Sequence, residues 1–204
     1  MDSSGSDDAL PLGSDEEMQQ RLAFTTPEDT MRGVFYNGIL DAVRQLGSED
    51  AVRRCLEACG ESGFLDFFNY PYSSFIRLLY TAARLLSDKY GGFEQALAAM
   101  GHYAATRYYT SPVGRALQLM FMNDPKRLIS NLPMASKMAA AGSQCEVRLT
   151  DQKSGVVIYR HDLLPRPYIV GGFLGTFESI HTKGLKVDVR VLGPLDTEYT
   201  FSWE

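Results

Sequence analysis

The chain has 204 residues, of which 45% are hydrophobic and 22% are charged, and its formal net charge is −5. These values are typical of a soluble globular protein that is long enough to bury a sizeable core. No apolar run approaches the roughly 20 residues that cross a bilayer, so we expect no membrane span and a cytoplasmic location.

The acidic residues are concentrated at the amino terminus. Residues 1–20 contain six acids and no base, and removing these six from the 25 acids leaves 19 acids against 20 bases. The rest of the sequence is therefore nearly neutral and contains no basic run, so the sequence predicts no positively charged surface of the kind that binds nucleic acid. Residues 1–24 are rich in Ser, Gly and Asp, which predicts an acidic disordered tail that can hold a short helix at residues 16–22. This tail is either a docking arm or a solubilising extension.

Helical patterns predominate from residue 26 to residue 142. Thr26 is predicted to cap the first helix, with Pro27 and Asp29 in its first turn and Gly47 at its end. The next helices, each bounded by Gly or Pro, are expected at about residues 49–59, 71–90, 93–109, 112–122 and 125–132. Five methionines lie between residues 100 and 138, where they either fill a core or line an adaptable pocket: Met100, Met120, Met122, Met134 and Met138.

The last third of the chain changes to strictly alternating apolar and polar residues. Residues 145–160 form one predicted hairpin and residues 185–203 form another, with a glycine-bearing helix at about 167–182 between them. The fold class is therefore α+β: a helical amino-terminal two thirds packed on a four-stranded antiparallel sheet, which the two carboxy-terminal hairpins make. We expect a single α+β domain over residues 26–204.

Three glycines interrupt the predicted helix between the hairpins. Gly171, Gly172 and Gly175 each cost about 1 kcal/mol relative to Ala in a helix interior. A chain that tolerates this cost is predicted to press the helix backbone against another helix, the sheet or a ligand, with Gly171 and Gly175 on one face. Close packing is the interpretation that we favour.

The sequence lacks the usual motifs of catalysis and metal binding. It has no glycine-rich phosphate loop, no GxSxG elbow and no HExxH helix. The histidines and cysteines are scattered: His102, His161 and His181, and Cys55, Cys59 and Cys145. The cysteines lack the paired short spacings of a structural zinc site, and His161-Asp162 is predicted to form a turn. We therefore expect no enzyme, no metal and three reduced thiols.

Several segments of the chain resemble known families. The stretches TPEDTMRGVFYNGILDAV, FFNYPYSSFIRLLYTAA, MGHYAATRYYTSPVGRAL and DPKRLISNLP resemble an uncharacterised family of myxobacterial domains of about this length. More distantly, the order of elements is similar to that of the haem nitric-oxide/oxygen-binding domains, the 4-vinyl-reductase ligand-binding domains and the TRAPP vesicle-tethering subunits. The resemblance implies helices packed on a four-stranded sheet around an apolar pocket.

The haem-binding relatives hold their cofactor with two sets of residues that this chain replaces. Their iron is ligated by a His shortly after the Met-rich segment, and Lys126 stands at that position. Their haem propionates are held by a Tyr-x-Ser-x-Arg run, which corresponds here to residues 148–152 and reads Arg-Leu-Thr-Asp-Gln. Because a protonated lysine is not a plausible proximal ligand, we expect no haem and no other cofactor.

A pocket that persists without haem has candidate lining residues. Arg115 and Lys126 would receive the anionic head group of an apolar or amphipathic small molecule, and Phe121, Met122 and Tyr168 would contribute an apolar wall. The alternative places Lys126 on a solvated helix face and Arg115 in a structural ion pair. Both interpretations are open.

Two functions fit this sequence. The first is a non-enzymatic regulatory or ligand-sensing module with a haem-free apolar pocket, which acts through protein contacts and forms a homodimer. The second is a pure adaptor or scaffold with a collapsed pocket, which docks a signalling partner.

Overall fold

The computed structural model describes residues 10–110, 112–121, 124–142 and 144–204. Over these residues the chain forms eight helices and six strands, in the order α1 (Asp15–Ala23), β1 (Thr30–Arg32), α2 (Gly33–Leu46), α3 (Glu49–Cys59), β2 (Asn69–Pro71), α4 (Tyr72–Tyr90), α5 (Phe93–Thr110), α6 (Pro112–Phe121), α7 (Pro125–Ala139), β3 (Gln144–Asp151), β4 (Ser154–Arg160), α8 (Arg166–Ser179), β5 (Lys186–Val191) and β6 (Thr197–Ser202). None of the helices in these ranges is both long and apolar enough to span a membrane.

Strands β3 to β6 form an antiparallel sheet with the order β3-β4-β6-β5. The hairpins β3–β4 and β5–β6 flank α8 along the chain, and β4 pairs with β6 at the centre of the sheet. Tyr199 and Phe201 on β6 are fully buried, whereas Lys186, Asp188 and Arg190 on β5 are exposed on the opposite face. The predicted α+β class and the alternation of the closing hairpin are confirmed.

The first long helix begins later than the sequence pattern indicates. The Asp29 carboxylate accepts hydrogen bonds from the Thr26 N–H and hydroxyl at 2.8 and 3.0 Å, and these bonds close a turn. The next residues form β1, which pairs with β2, so α2 starts at Gly33. The prediction of Thr26 as a helix cap is wrong, because the same side-chain chemistry here closes a turn ahead of a strand.

Helix α4 lies at the centre of the helical body, where it packs against α2, α3 and α5. Pro71 precedes it, and Gly91 ends it in the left-handed conformation at a φ of 81°, a conformation that glycine adopts without strain. Its fully buried side chains include Phe75, Ile76, Leu78, Leu79, Tyr80, Ala82 and Ala83. Most of the larger of two hydrophobic clusters is built around this helix.

The acidic amino-terminal segment is folded over the residues that the structure describes. The Ser14 hydroxyl caps α1 by accepting a hydrogen bond from the Glu17 N–H at 3.1 Å, and α1 packs on α4. The prediction of a disordered tail is therefore wrong for residues 10–24, and the short helix expected within it is present. Residues 1–9 lie outside the described part of the chain.

Candidate ligand site

The glycines of α8 lie where this helix crosses α5. A Cβ atom built on Gly171 would lie 2.0 Å from the carbonyl oxygen of Ala98, and one built on Gly175 would lie 2.6 Å from that of His102. Neither position has room for a larger residue, because a helix backbone occupies the space. The predicted close approach of this helix to another helix is confirmed.

Tyr168, a predicted pocket residue, lies at the same crossing. A Cβ built on Gly101 of α5 would lie 2.1 Å from the Tyr168 carbonyl oxygen. The Tyr168 ring is buried and meets the edge of Phe75 at a centroid distance of 6.3 Å. Burial raises the pKa of this phenol, so it stays neutral, and the ring belongs to the core of the helical body.

Aromatic side chains fill the space between α8, α7 and the sheet. The Phe173 ring meets Phe201 edge-on at 4.8 Å, and Phe177 stacks on Phe201 at 5.5 Å. Helix α7 contributes the buried Leu128 and Ile129 to the same cluster. One face of α8 is thus closed by α5, and the other is closed by these rings.

The remaining predicted site residues lie apart from Tyr168. Arg115 is exposed on α6, and its Nε donates to the Thr110 carbonyl oxygen at 3.0 Å. The Lys126 ammonium, in the first turn of α7, donates to the side-chain oxygen of Gln152 in the β3–β4 turn. The Phe121 side chain and Met122 lie outside the described residues. The structure does not bring Arg115, Lys126 and Tyr168 around one hollow, and their role in ligand binding stays a prediction.

Two open grooves mark the surface of the described residues. The first, of about 340 Å³, lies between the starts of α5 and α8 and strand β5, and it is lined by Glu94, Ala98, Arg166, Pro167, Val170 and Val189. The second, of about 370 Å³, adjoins the start of α7 and is lined by Pro125, His181, Thr182, Lys183, Trp203 and Glu204. The second groove therefore lies beside Lys126, and the Thr182 hydroxyl oxygen is buried there without a hydrogen-bond partner among the described residues.

A buried polar cluster fastens α1 to the rest of the fold. The Glu17 carboxylate accepts hydrogen bonds from Arg21 Nε and from the Tyr80 hydroxyl, each at 2.5 Å. Arg21 also donates to the Leu163 carbonyl oxygen at 3.3 Å, which joins α1 to the segment ahead of α8. Pairing and hydrogen bonding offset the cost of burying both charges.

Asp162 lies buried next to that segment, between β4 and α8. One carboxylate oxygen accepts a hydrogen bond from the Leu164 N–H at 3.1 Å, and the other has no partner among the described residues. Burial raises the pKa of Asp162 to about 6, although Arg21, Arg166 and His161 oppose this shift. The predicted turn is present, but the carboxyl group in it is poised to change charge near neutral pH, which its sequence context did not indicate.

The histidines and cysteines are placed where strong metal binding or nucleophilic chemistry is not favoured. His102 Nε2 lies 2.6 Å from a Glu178 carboxylate oxygen, and His161 Nε2 lies 3.4 Å from that of Asp29, while His181 is exposed. Burial raises the pKa of the Cys55 thiol to about 12 and that of Cys145 to about 11, which keeps both as poorly nucleophilic thiols. Within the described ranges, no group of three or more His, Cys, Asp or Glu side chains could hold a metal ion.

Comparison with protein families places most of the chain in one of them. Residues 24–204 match the model of the family described as Protein of unknown function (DUF2378). The chain belongs to this family. The match begins directly after α1, so the family domain contains the helical body from residue 24 and the whole sheet. No curated protein matches the chain.

Several solved H-NOX structures share the fold of this chain. The unliganded Fe(II) H-NOX protein from K. algicida matches with a TM-score of 0.69 and 14% identity, covering 85% of this chain and 97% of that one. A point mutant of the T. tengcongensis H-NOX matches with a TM-score of 0.62 and 14% identity, covering 85% of this chain and 98% of that one. A structure from work on heme distortion in the H-NOX family matches at 0.59 and 12% identity, covering 85% and 95%. At these identities the likeness establishes the fold.

The residues of this chain do not fit the haem that an H-NOX fold implies. A proximal ligand must face an enclosed pocket with an unshared lone pair. His102 instead lies beside the exposed carboxylate of Glu178, His161 lies beside the buried carboxylate of Asp29, and His181 lies on an open groove. Lys126, at which the sequence resemblance predicts the iron ligand to stand, donates a hydrogen bond to Gln152. The interior beside α8 is filled by side chains and by the backbone of α5.

Proposed function

We propose that this protein is a non-enzymatic regulatory module that binds no haem and acts through protein contacts as a homodimer. The observation that carries the proposal is the contact between Lys126 and Gln152. These residues stand where the haem-binding relatives have the iron ligand and the last residue of the propionate-binding run. Here the two side chains bind each other at the protein surface, so the sensor fold is retained while the groups that would hold haem serve another purpose.

The ligand of such a module binds at the groove beside α7. Trp203 supplies a half-buried aromatic wall, while Lys183 and His181 supply a positive or protonatable edge. Polar groups placed beside an apolar wall fix the orientation of a small molecule in its site. Because Trp203 is apolar and Lys183 is cationic, we expect an amphipathic molecule whose anionic group is directed at Lys183 and away from the Glu204 carboxylate.

Native mass spectrometry of the purified protein, followed by extraction of bound small molecules, tests this proposal. We expect a dimer that carries an amphipathic molecule and loses it in the Lys183→Gln variant. Lys137→Gln is a matched control, because Lys137 is exposed on α7 and does not line the groove. A clean monomer that carries nothing would contradict both the ligand and the dimer.

A second candidate function is an adaptor with a collapsed pocket, and the filled interior around Phe173 and Phe177 favours it. The loop between α3 and β2 also exposes Leu65, Phe67 and Phe68, with Phe67 86% exposed. Adjacent exposed apolar side chains of this kind are typical of surfaces that bind a protein partner. The resemblance to TRAPP subunits supports the same function.

Pull-down experiments separate the adaptor from the ligand sensor. We expect Phe67→Ser to abolish capture of the partner, whereas Phe24→Ser, at a partly exposed phenylalanine outside this loop, leaves capture unchanged. A chain that lacks residues 1–9 tests the acidic extension without disturbing α1. Capture that survives both the loop change and the truncation would contradict docking through either segment.

A further inference from the structure

Strand β5 is an edge strand that leaves apolar side chains uncovered. It is the last strand in the order β3-β4-β6-β5, and Val189, Val191 and the following Leu192 are 41%, 56% and 41% exposed. Natural edge strands usually avoid such a surface, because it invites pairing with another strand. The first groove continues this apolar surface from Val189 to Val170 and Pro167 of α8.

Among the residues that the structure describes, backbone groups of β5 at the same positions have no hydrogen-bond partner. The Leu192 N–H donates to the Asp196 carbonyl oxygen at 2.9 Å, so position 192 and every second residue before it face β6. In an antiparallel ladder the intervening residues direct their N–H and C=O groups to the other side. Val187, Val189 and Val191 therefore offer their backbone groups to the open edge, and their side chains lie on the inner face of the sheet.

We infer that a second copy of this chain pairs with β5 in antiparallel register about a two-fold axis at Val189. In this register Val189 faces Val189 of the second copy, and Val187 faces Val191 of the second copy. The backbone N–H and C=O groups of these valines point to the open edge, so they can form the hydrogen bonds between the two copies. The inner faces of the two sheets then lie on one side, so the added valines cover the first groove of each copy. This proposal rests on the homodimer of the proposed function and specifies the surface through which the two copies bind.

The charges of β5 select this register over its neighbour. With the axis at Val189, Asp188 of each copy lies opposite Arg190 of the other, which gives two opposite-charge pairs on the outer face. Arg190 already pairs with Glu198 at 2.8 Å within its own hairpin, and its five donors can bind a second carboxylate. An axis at Asp188 would instead oppose Asp188 to itself and Lys186 to Arg190, and like charges directly opposite are unfavourable.

Exchange of these charges tests the surface. Asp188→Arg and Arg190→Glu each turn both cross-strand pairs into like-charge pairs, and we expect each variant to self-associate roughly tenfold more weakly or worse. An equimolar mixture of the two variants restores opposite charges at both pairs, so a heterodimer should form from two monomeric proteins. Asp88→Arg, at an exposed position near the end of α4, is the matched control and should dimerise like the natural chain.

Sedimentation across a concentration series measures the self-association of the natural chain, of each variant and of the mixture, with circular dichroism as the check on folding. Because Arg190→Glu places two acids side by side on β5 and β6, Val189→Asp provides a second variant that should also be monomeric. Dimers that persist in Asp188→Arg and Val189→Asp would overturn the β5 surface while leaving a homodimer in place. A natural chain that is monomeric throughout the series would overturn both, whatever small molecule native mass spectrometry finds.

Discussion

Replacing Asp162 with asparagine is expected to stabilise the protein at neutral pH. The carboxyl group is buried, and one of its oxygens has no partner among the described residues. Burial raises its pKa from 3.8 to about 6, so deprotonation in the folded state is costly. Asparagine keeps the oxygen that accepts the Leu164 N–H and never acquires the charge.

The magnitude follows from the pKa shift. Because the pKa of Asp162 is higher in the folded state than in the unfolded state, the folded protein binds the carboxyl proton more tightly. Protonation therefore favours folding at pH values below the two pKa values. This advantage is lost as the pH rises from about 4 to about 6, and at 1.36 kcal/mol per pKa unit it amounts to about 3 kcal/mol. Asp162→Asn should therefore exceed the natural chain in unfolding free energy by about 1–3 kcal/mol at pH 7, with little difference near pH 4.

Urea unfolding at a series of pH values measures this difference directly. Other carboxyl groups titrate in the same range, so the relevant quantity is the natural chain minus the variant at each pH. Asp88→Asn on the exposed surface of α4 controls for the change in net charge and should give a flat difference. A difference between Asp162→Asn and the natural chain that is constant from pH 4 to pH 7 would refute the assignment of Asp162 as the buried titrating group.

Three further predictions concern the packing of the fold. Gly171→Ala forces a Cβ against the Ala98 carbonyl oxygen, and we expect thermal unfolding to show a loss of about 3 kcal/mol or more in unfolding free energy. The neighbouring Gly172→Ala is the control, because its Cβ would lie 4.0 Å from the nearest atom, and it should be neutral or stabilising. Tyr80→Phe removes a buried hydrogen bond to Glu17 and should lower the unfolding free energy by about 1–3 kcal/mol. Amide hydrogen exchange that becomes faster only in α1 would show that the lost stability concerns this helix. Phe67→Ser exposes nothing new and should leave the unfolding free energy within about 0.5 kcal/mol of that of the natural chain. A larger loss of unfolding free energy would show that this side chain packs in the fold.

The sheet and the close approach of α8 to a neighbouring element were predictable because each has a local pattern in the sequence. Alternation along residues 185–203 specifies which side chains of the hairpin face the core, whatever covers them. Gly171 and Gly175 each carry a cost within a helix that only a close neighbour explains. What the sequence did not reveal is that this neighbour is α5, since Ala98 and His102 show no complementary pattern beyond the single Gly101.

The surroundings of individual polar residues were not predictable, because they come from distant parts of the chain. Asp162 is followed by two leucines and a proline, which is typical of a turn, and its burial depends on packing against other elements. The Arg21 side chain that joins α1 to Leu163 is 142 residues away in sequence. The acidic composition also gave a wrong prediction at α1, because this helix packs on the core through the buried Glu17–Arg21 pair together with Met18 and Leu22.

The pocket residues were expected to share one hollow because the resemblance to haem-binding domains implies such a hollow. Tyr168 instead packs against Gly101 and Phe75, and Lys126 meets Gln152 at the surface. The order of helices and strands does not by itself specify which side chains occupy the interior, and here large aromatic rings pack between α8, α7 and the sheet.

A haem titration followed by absorbance spectroscopy tests the central claim most directly. Purified full-length protein is mixed with increasing amounts of ferrous haem, and the Soret band is compared with that of haem in buffer. We expect no saturable shift, because Lys126 and the three histidines offer no axial ligand within an enclosed pocket. A sharp, saturable Soret band at one haem per chain would contradict a haem-free module.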